Sequence, residues 1–120
     1  MTAKQALAAG FAAGTVGLEP QEITALIAGY YGFDFATLTG EERTHRISQA
    51  RKAAVWAVRK FTRTRPVDIA NLFSRDRAII YHAWQEFELS PDPNVRREAE
   101  EITGLIKAKV QELYDEEIPF

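Results

Sequence analysis

Two short apolar periodicities that meet at a polar turn, between positions 65 and 87, constrain this chain more than any other feature. Pro66 supplies the fixed φ favoured at a first helical position, and Asp68, two residues on, suits the positive end of a helix dipole. Ile69, Ala70, Leu72 and Phe73 then fall on one side at three-to-four spacing. Ser74 or Asp76 can cap the helix that follows by accepting an orphan backbone N–H, so the chain turns at Ser74 and Arg75. In the second helix Ile80, Ala83, Trp84 and Phe87 form an inward stripe and leave Arg77, Ala78, Tyr81, His82 and Gln85 outside. The pattern is a helix-turn-helix. A second helix that offers its leading turn, flanked by Arg75 and Arg77, to a polyanion suits the major groove of duplex DNA.

The rest of the chain supplies helices to pack around this pair. Pro20 opens a segment in which Ile23, Leu26, Ile27 and Tyr30 repeat at helical spacing, and Gly32 suits a left-handed stop. Positions 33–40 are too short and turn-rich for a lasting element, with Phe33, Phe35 and Leu38 plugging the core from a loop. Ser48 is placed to cap a helix from Gln49 to about Phe61, apolar through Ala50, Ala54, Trp56 or Ala57, Val58 and Phe61, and basic elsewhere. After the break at Ser90, Pro91, Asp92 and Pro93, a last amphipathic helix buries Val95, Ala99, Ile102, Leu105 or Ile106, and Leu113 beneath an acidic outer face. No strand candidate and no repeat appears. The expected fold is all-α, a compact multi-helix domain built around the helix-turn-helix.

At 120 residues and 46% hydrophobic content the chain has the size of one domain. Residues 1–18, rich in alanine and glycine, are expected to form a poorly ordered arm or a loosely held helix. Their resemblance to a signal peptide is superficial because alanine and glycine are weakly hydrophobic, and their glycines precede no Lys-Ser or Lys-Thr of a phosphate loop. Residues 19–114 form the expected domain, and residues 115–120 an acidic tail. No apolar run reaches the roughly 18 residues of a membrane span, so no membrane association is expected and the cytoplasm is the default location. There is no cysteine.

Formal charge is −2, but it is unevenly distributed. Between Arg43 and Arg77 ten Lys/Arg face two acids, while from Glu86 to the end ten acids face four Lys/Arg. A local positive field attracts phosphate even on a slightly acidic protein, because screening confines the interaction to about 8–10 Å. No nucleophile–base pair, carboxylate pair or metal-ligand spacing appears, so no enzyme and no cofactor is expected; neither His45 nor His82 suggests a metal. Trp56 and Trp84 lie on apolar faces and read as core, and His82 as a packed or surface side chain.

With this order in place, residues 23–110 or so, about three-quarters of the chain, resemble the C-terminal DNA-binding domain of the bacterial replication initiator DnaA. The resemblance is carried by Ala28-Gly29-Tyr30-Tyr31-Gly32, by Asp34-Phe35-Ala36-Thr37-Leu38 before an arginine-bearing loop, and by Ala50-Arg51-Lys52-Ala53-Ala54. It continues in Ile69-Ala70-Asn71-Leu72-Phe73 and in Arg75-Asp76-Arg77-Ala78-Ile79-Ile80-Tyr81-His82-Ala83, the most specific segment. It implies a fold of the Trp-repressor type, with the second helix of the motif in the major groove and a loop arginine in the adjacent minor groove. By position Arg43, with Arg46 as substitute, resembles the minor-groove arginine, and Arg51 and Lys52 resemble phosphate contacts. Asp76, Arg77, Ala78 and Ile79 stand at the base-reading positions. The family has histidine followed by Ser/Thr-Thr after the aspartate, whereas this chain has Arg77, Ala78 and Ile79 and a turn one residue shorter, without the usual glycine pair. Poor reading of the initiator's box is therefore expected. The initiator's ATPase domain is not within these residues, so neither ATP binding nor origin melting is expected from the resemblance.

Residue by residue, Arg77 could make the bidentate contact to guanine O6 and N7, and Ala78 could touch a thymine methyl; Ile79 either does the same or faces the core. Arg43 and Arg46 suit a narrow minor groove, and Arg51, Lys52, Arg63, Arg65 and Arg75 suit phosphates, which position a protein without reading sequence. The leading expectation is a double-stranded DNA-binding protein acting as a stand-alone bacterial or phage transcription regulator. Two others stay open: a replication-associated origin-binding factor, and a protein–protein interaction module whose acidic C-terminal helix and tail hold another protein.

Overall fold

In a computed structural model, residues 17–117 are described, and among them six helices follow one another without a strand. They are α1 (Pro20–Tyr31), α2 (Phe35–Thr39), α3 (His45–Phe61), α4 (Pro66–Phe73), α5 (Arg77–Glu88) and α6 (Pro93–Glu117). Positions 1–16 of the expected arm (residues 1–18) and the last three residues of the tail lie outside the described residues. Leu18, at the end of that arm, is buried in the core. The last helix runs on through Asp115, Glu116 and Glu117.

Helix α3 is the axis of the domain and packs against all five other helices. Positions 53–58 are buried without interruption, so its middle is enclosed on every side rather than presenting the single apolar stripe expected. Four of the buried residues on α3 are alanines (Ala50, Ala53, Ala54 and Ala57), whose short side chains let neighbouring helices approach closely. Basic side chains are confined to its ends, Arg46, Arg51 and Lys52 before this segment and Arg59 and Lys60 after it. The helix starts earlier than the Ser48 cap implied. Thr44 is the N-cap, its hydroxyl oxygen accepting from the Ile47 N–H at 3.2 Å.

Local chemistry sets the other boundaries. Gly32 closes α1 in the left-handed region at φ 84°, and the Phe33 N–H reaches back to the Ala28 carbonyl at 2.8 Å. The segment expected to be a loop forms the single turn of α2, because the Asp34 carboxylate accepts from the Thr37 N–H at 2.8 Å and from its hydroxyl at 2.7 Å. On α6 the apolar stripe is completed by Ile106 and Val110, both fully buried, while Leu105 turns outward. No helix among the described residues is long and apolar enough to cross a membrane.

At the turn of the helix-turn-helix, Ser74 has φ 52°, the one non-glycine residue in the left-handed region among those described. It ends α4, its N–H donating to the carbonyls of Ala70 and Asn71. A Cβ in this conformation costs roughly 1 kcal/mol, so Ser74→Gly is expected to raise the urea midpoint; a lower midpoint would mean that its hydroxyl carries an interaction outweighing this strain.

Tyr30 pins α1 to α6 by donating its hydroxyl proton to Glu101. Burial, reinforced by that hydrogen bond and the carboxylate charge, pushes the Tyr30 pKa up to about 12 from 10.0. The folded state thus retains the proton after the unfolded chain has lost it, and stability falls as pH rises from about 10 to 12. Tyr30→Phe is expected to flatten the alkaline limb of a Tm-against-pH curve, and an unchanged limb would assign the loss to other groups.

Candidate nucleic-acid interface

Helix α5 presents its leading turn to solvent. Asp76 caps it, its carboxylate accepting from the Ile79 N–H at 3.0 Å, so this aspartate at an expected base-reading position holds the helix start itself. Arg77 and Ala78 are exposed, and Ile79 is 51% exposed while the next residue, Ile80, is 3% exposed. Ile79 therefore faces outward. Tyr81 and His82 continue the exposed strip one turn on, and Ile80 and Phe87 anchor the opposite side. Losing the cap in Asp76→Ala is expected to cost about 1 kcal/mol by urea denaturation. No measurable cost would show that the turn is held by something other than this carboxylate.

Beside that strip lies a cleft of about 270 Å³, lined by Arg43, Ser48, Arg51, Lys52, Arg75, Ile79 and Ala83. It joins the loop after α2, one side of α3 and the first turns of α5. Four cations so close together repel one another. Burial, then the charges of Arg75 and Arg43, holds the Arg51 pKa below the ordinary arginine value. An anion seated there would relieve that repulsion.

The cations of the cleft are not equivalent. Arg51 donates from Nε to the Leu38 carbonyl at 2.7 Å and from Nη2 to the carbonyls of Glu42 (3.0 Å), Gly40 (3.1 Å) and Thr37 (3.4 Å). Arg75 donates from Nη2 to the same Gly40 carbonyl at 2.7 Å and from Nη1 to Phe73 at 2.5 Å. Both guanidiniums, expected at phosphates, thus bind the protein's own backbone. Lys52 pairs with Glu86 of α5 at 2.7 Å, with both side chains substantially exposed, so the pair is worth at most about 1 kcal/mol and is easily exchanged.

Other expected site residues lie elsewhere. Arg46 donates to the Tyr31 carbonyl at 3.1 Å, lies over the Phe33 ring and lines a different cleft with Tyr30, Tyr31, His45, Gln49 and Glu98. Arg43 is the one of the pair placed beside α5. Arg63 and Arg65 line a third cleft, between the α3–α4 connection and the start of α1, and Arg65 pairs with Asp68 at 3.0 Å.

Two features were not legible beforehand. Ser48, read as a cap, lines the cationic cleft instead. Arg59 stacks its guanidinium over Trp84 at 3.9 Å and lies 5.8 Å from the Tyr81 ring, so Trp84 is a half-buried platform rather than sealed core. Among the described residues no group of three or more His, Asp or Glu is arranged to hold a metal ion.

Compared with known protein families, the chain matches over residues 20–86 a family model described as the bacterial dnaA protein helix-turn-helix. The match begins with α1 and ends within α5, taking in the cleft and the exposed leading turn together.

Proposed function

This chain belongs to the bacterial DnaA helix-turn-helix family, a DNA-binding fold, and from that premise we propose that it binds duplex DNA sequence-selectively to regulate transcription. The observation that carries the reading is the juxtaposition of an uncovered helix start, Arg77, Ala78 and Ile79, with a cleft of four cations. In this docking Arg77 pairs with guanine O6 and N7, Ala78 and Ile79 meet thymine methyl groups, and Arg43 enters the adjacent minor groove. Lys52 exchanges Glu86 for a phosphate. The target differs from the initiator's box, since the side chains that replace the family's histidine and hydroxyls offer a guanidinium and two apolar groups.

Titration with duplex DNA at several salt concentrations tests the reading. Log K is expected to fall with log salt by about 0.9 per phosphate neutralised, and a flat response would refute it. Selection of bound sequences from random duplexes identifies the target. The family itself favours a second reading, a replication factor acting at origins, and enrichment of initiator boxes would replace the first reading with that one.

A further inference from the structure

The Gly40 carbonyl is the meeting point of two guanidiniums from distant parts of the chain, Arg51 of α3 and Arg75 of the helix-turn-helix turn. Arg51 also holds the carbonyls of Leu38 and Glu42, at and just beyond the end of α2, and shares the Thr37 carbonyl with the Gly40 N–H that caps that helix. Arg75 in turn holds the carbonyl of Phe73, the last residue of α4. The segment between Gly40 and Thr44, which carries Arg43, is thereby tied at one point to the central helix and to the turn that launches α5. We propose that Arg51 and Arg75 are positioning residues: they clamp the loop bearing Arg43 at a set distance from the leading turn of α5, so that one arginine and one helix start can address neighbouring grooves of one duplex.

This rests on the docking proposed above and assigns to these two arginines a role other than phosphate binding. Arginine is required at both sites. Its planar fork reaches several acceptors in fixed directions, whereas lysine presents one compact ammonium at the same charge. Gly40 belongs to the same device. A Cβ at this position would stand 2.9 Å from the Ala36 carbonyl oxygen, a backbone atom that cannot swing aside, so a side chain here must displace the carbonyl that both arginines hold.

The decisive comparison is between charge-preserving and charge-removing variants of the full chain. Arg51→Lys and Arg75→Lys are each expected to weaken binding to the selected duplex about tenfold while leaving the salt slope unchanged. Arg43→Ala is expected to cost a similar factor, and Arg51→Lys combined with Arg43→Ala about the same tenfold, not the roughly hundredfold of independent contacts. Gly40→Ala, which alters no charge, should reproduce the loss at an unchanged salt slope. Wild-type affinity in Arg51→Lys would show that charge alone matters, and fully multiplicative losses with Arg43→Ala would show that the two arginines act independently; either result overturns the clamp.

A DNA-free readout separates this idea from the functional reading. Amide hydrogen exchange at residues 41–44 is expected to quicken in Arg51→Lys and in Gly40→Ala, with circular dichroism and Tm reporting that the helices persist. Unchanged exchange in both variants overturns the clamp whatever the DNA result, whereas failure of the wild-type protein to bind duplex with quickened exchange in the variants overturns only the docking.

Discussion

Replacing Arg77 by alanine is expected to flatten sequence preference at one base position while leaving the fold intact. A bidentate guanidinium–guanine contact contributes roughly 1–3 kcal/mol of discrimination, so duplexes substituted at that position should come to bind within a few-fold of the selected site rather than about 5- to 150-fold more weakly. The physical case begins in the free protein. Arg77 is the first residue of α5, where the positive end of the helix dipole opposes a cation, and the Asp76 carboxylate, already accepting from the Ile79 N–H, does not remove that conflict. Alanine should therefore leave stability unchanged or raise it by a few tenths of a kcal/mol. Opposite signs for folding and for recognition mark a residue kept for its ligand. Lys52→Ala supplies the contrast: it should weaken binding to all duplexes alike and lower the salt slope by about 1. Competition titrations against a panel of singly substituted duplexes measure both. Should Arg77→Ala retain the full preference, α5 does not read bases through this turn.

The largest effect on stability is expected from Trp56→Ala. Trp56 is 2% exposed, with its ring centroid 4.9 Å from Phe87 of α5 and 5.9 Å from Phe61. Its indole N–H donates to Glu88, and Lys60 lies 5.0 Å over its ring. Truncation removes this packing and leaves a cavity in the helix that every other element touches, at a cost of about 3–5 kcal/mol. Against the 5–15 kcal/mol typical of a whole domain, that is enough to leave a large unfolded population on modest warming. The same contact bears on the proposed docking, because Phe87 is one of two buried anchors of α5, and loosening it would free the exposed strip of that helix. Trp56→Phe should recover most of the stability but not the hydrogen bond to Glu88. Urea unfolding of both variants checks this, and a loss below about 1 kcal/mol for alanine would mean that α3 is not the axis of the core.

Helix existence and direction were legible along the chain because they follow from local chemistry. Proline at first helical positions, Gly32 in the left-handed region and period-3.6 apolar residues act within a few residues of themselves, and they mark α1, α4 and α5 correctly. Short elements were less visible. The single turn of α2 reads as a loop, since the Asp34 cap supports only a few residues and the other support, Arg51 holding its carbonyls, comes from a side chain 13 residues beyond Leu38. The total burial of positions 53–58 was equally hidden, because an alanine reads alike on an exposed and an enclosed helix.

What the order of residues determined by itself is the all-helical class, the helix-turn-helix, the concentration of positive charge between Arg43 and Arg77, and the identity of Arg77, Ala78 and Ile79 at the start of α5. These depend on residue identity and on spacing. Tertiary structure alone decided which cations meet: Arg43, Arg51, Lys52 and Arg75 share one cleft, while Arg46, Arg63 and Arg65 line others. It also turned Ile79 outward and gave Arg51 and Arg75 backbone carbonyls as partners. The reason is that every residue carries a carbonyl, so an arginine's acceptor leaves no trace in the alphabet of side chains and becomes defined only when distant backbone segments are packed together.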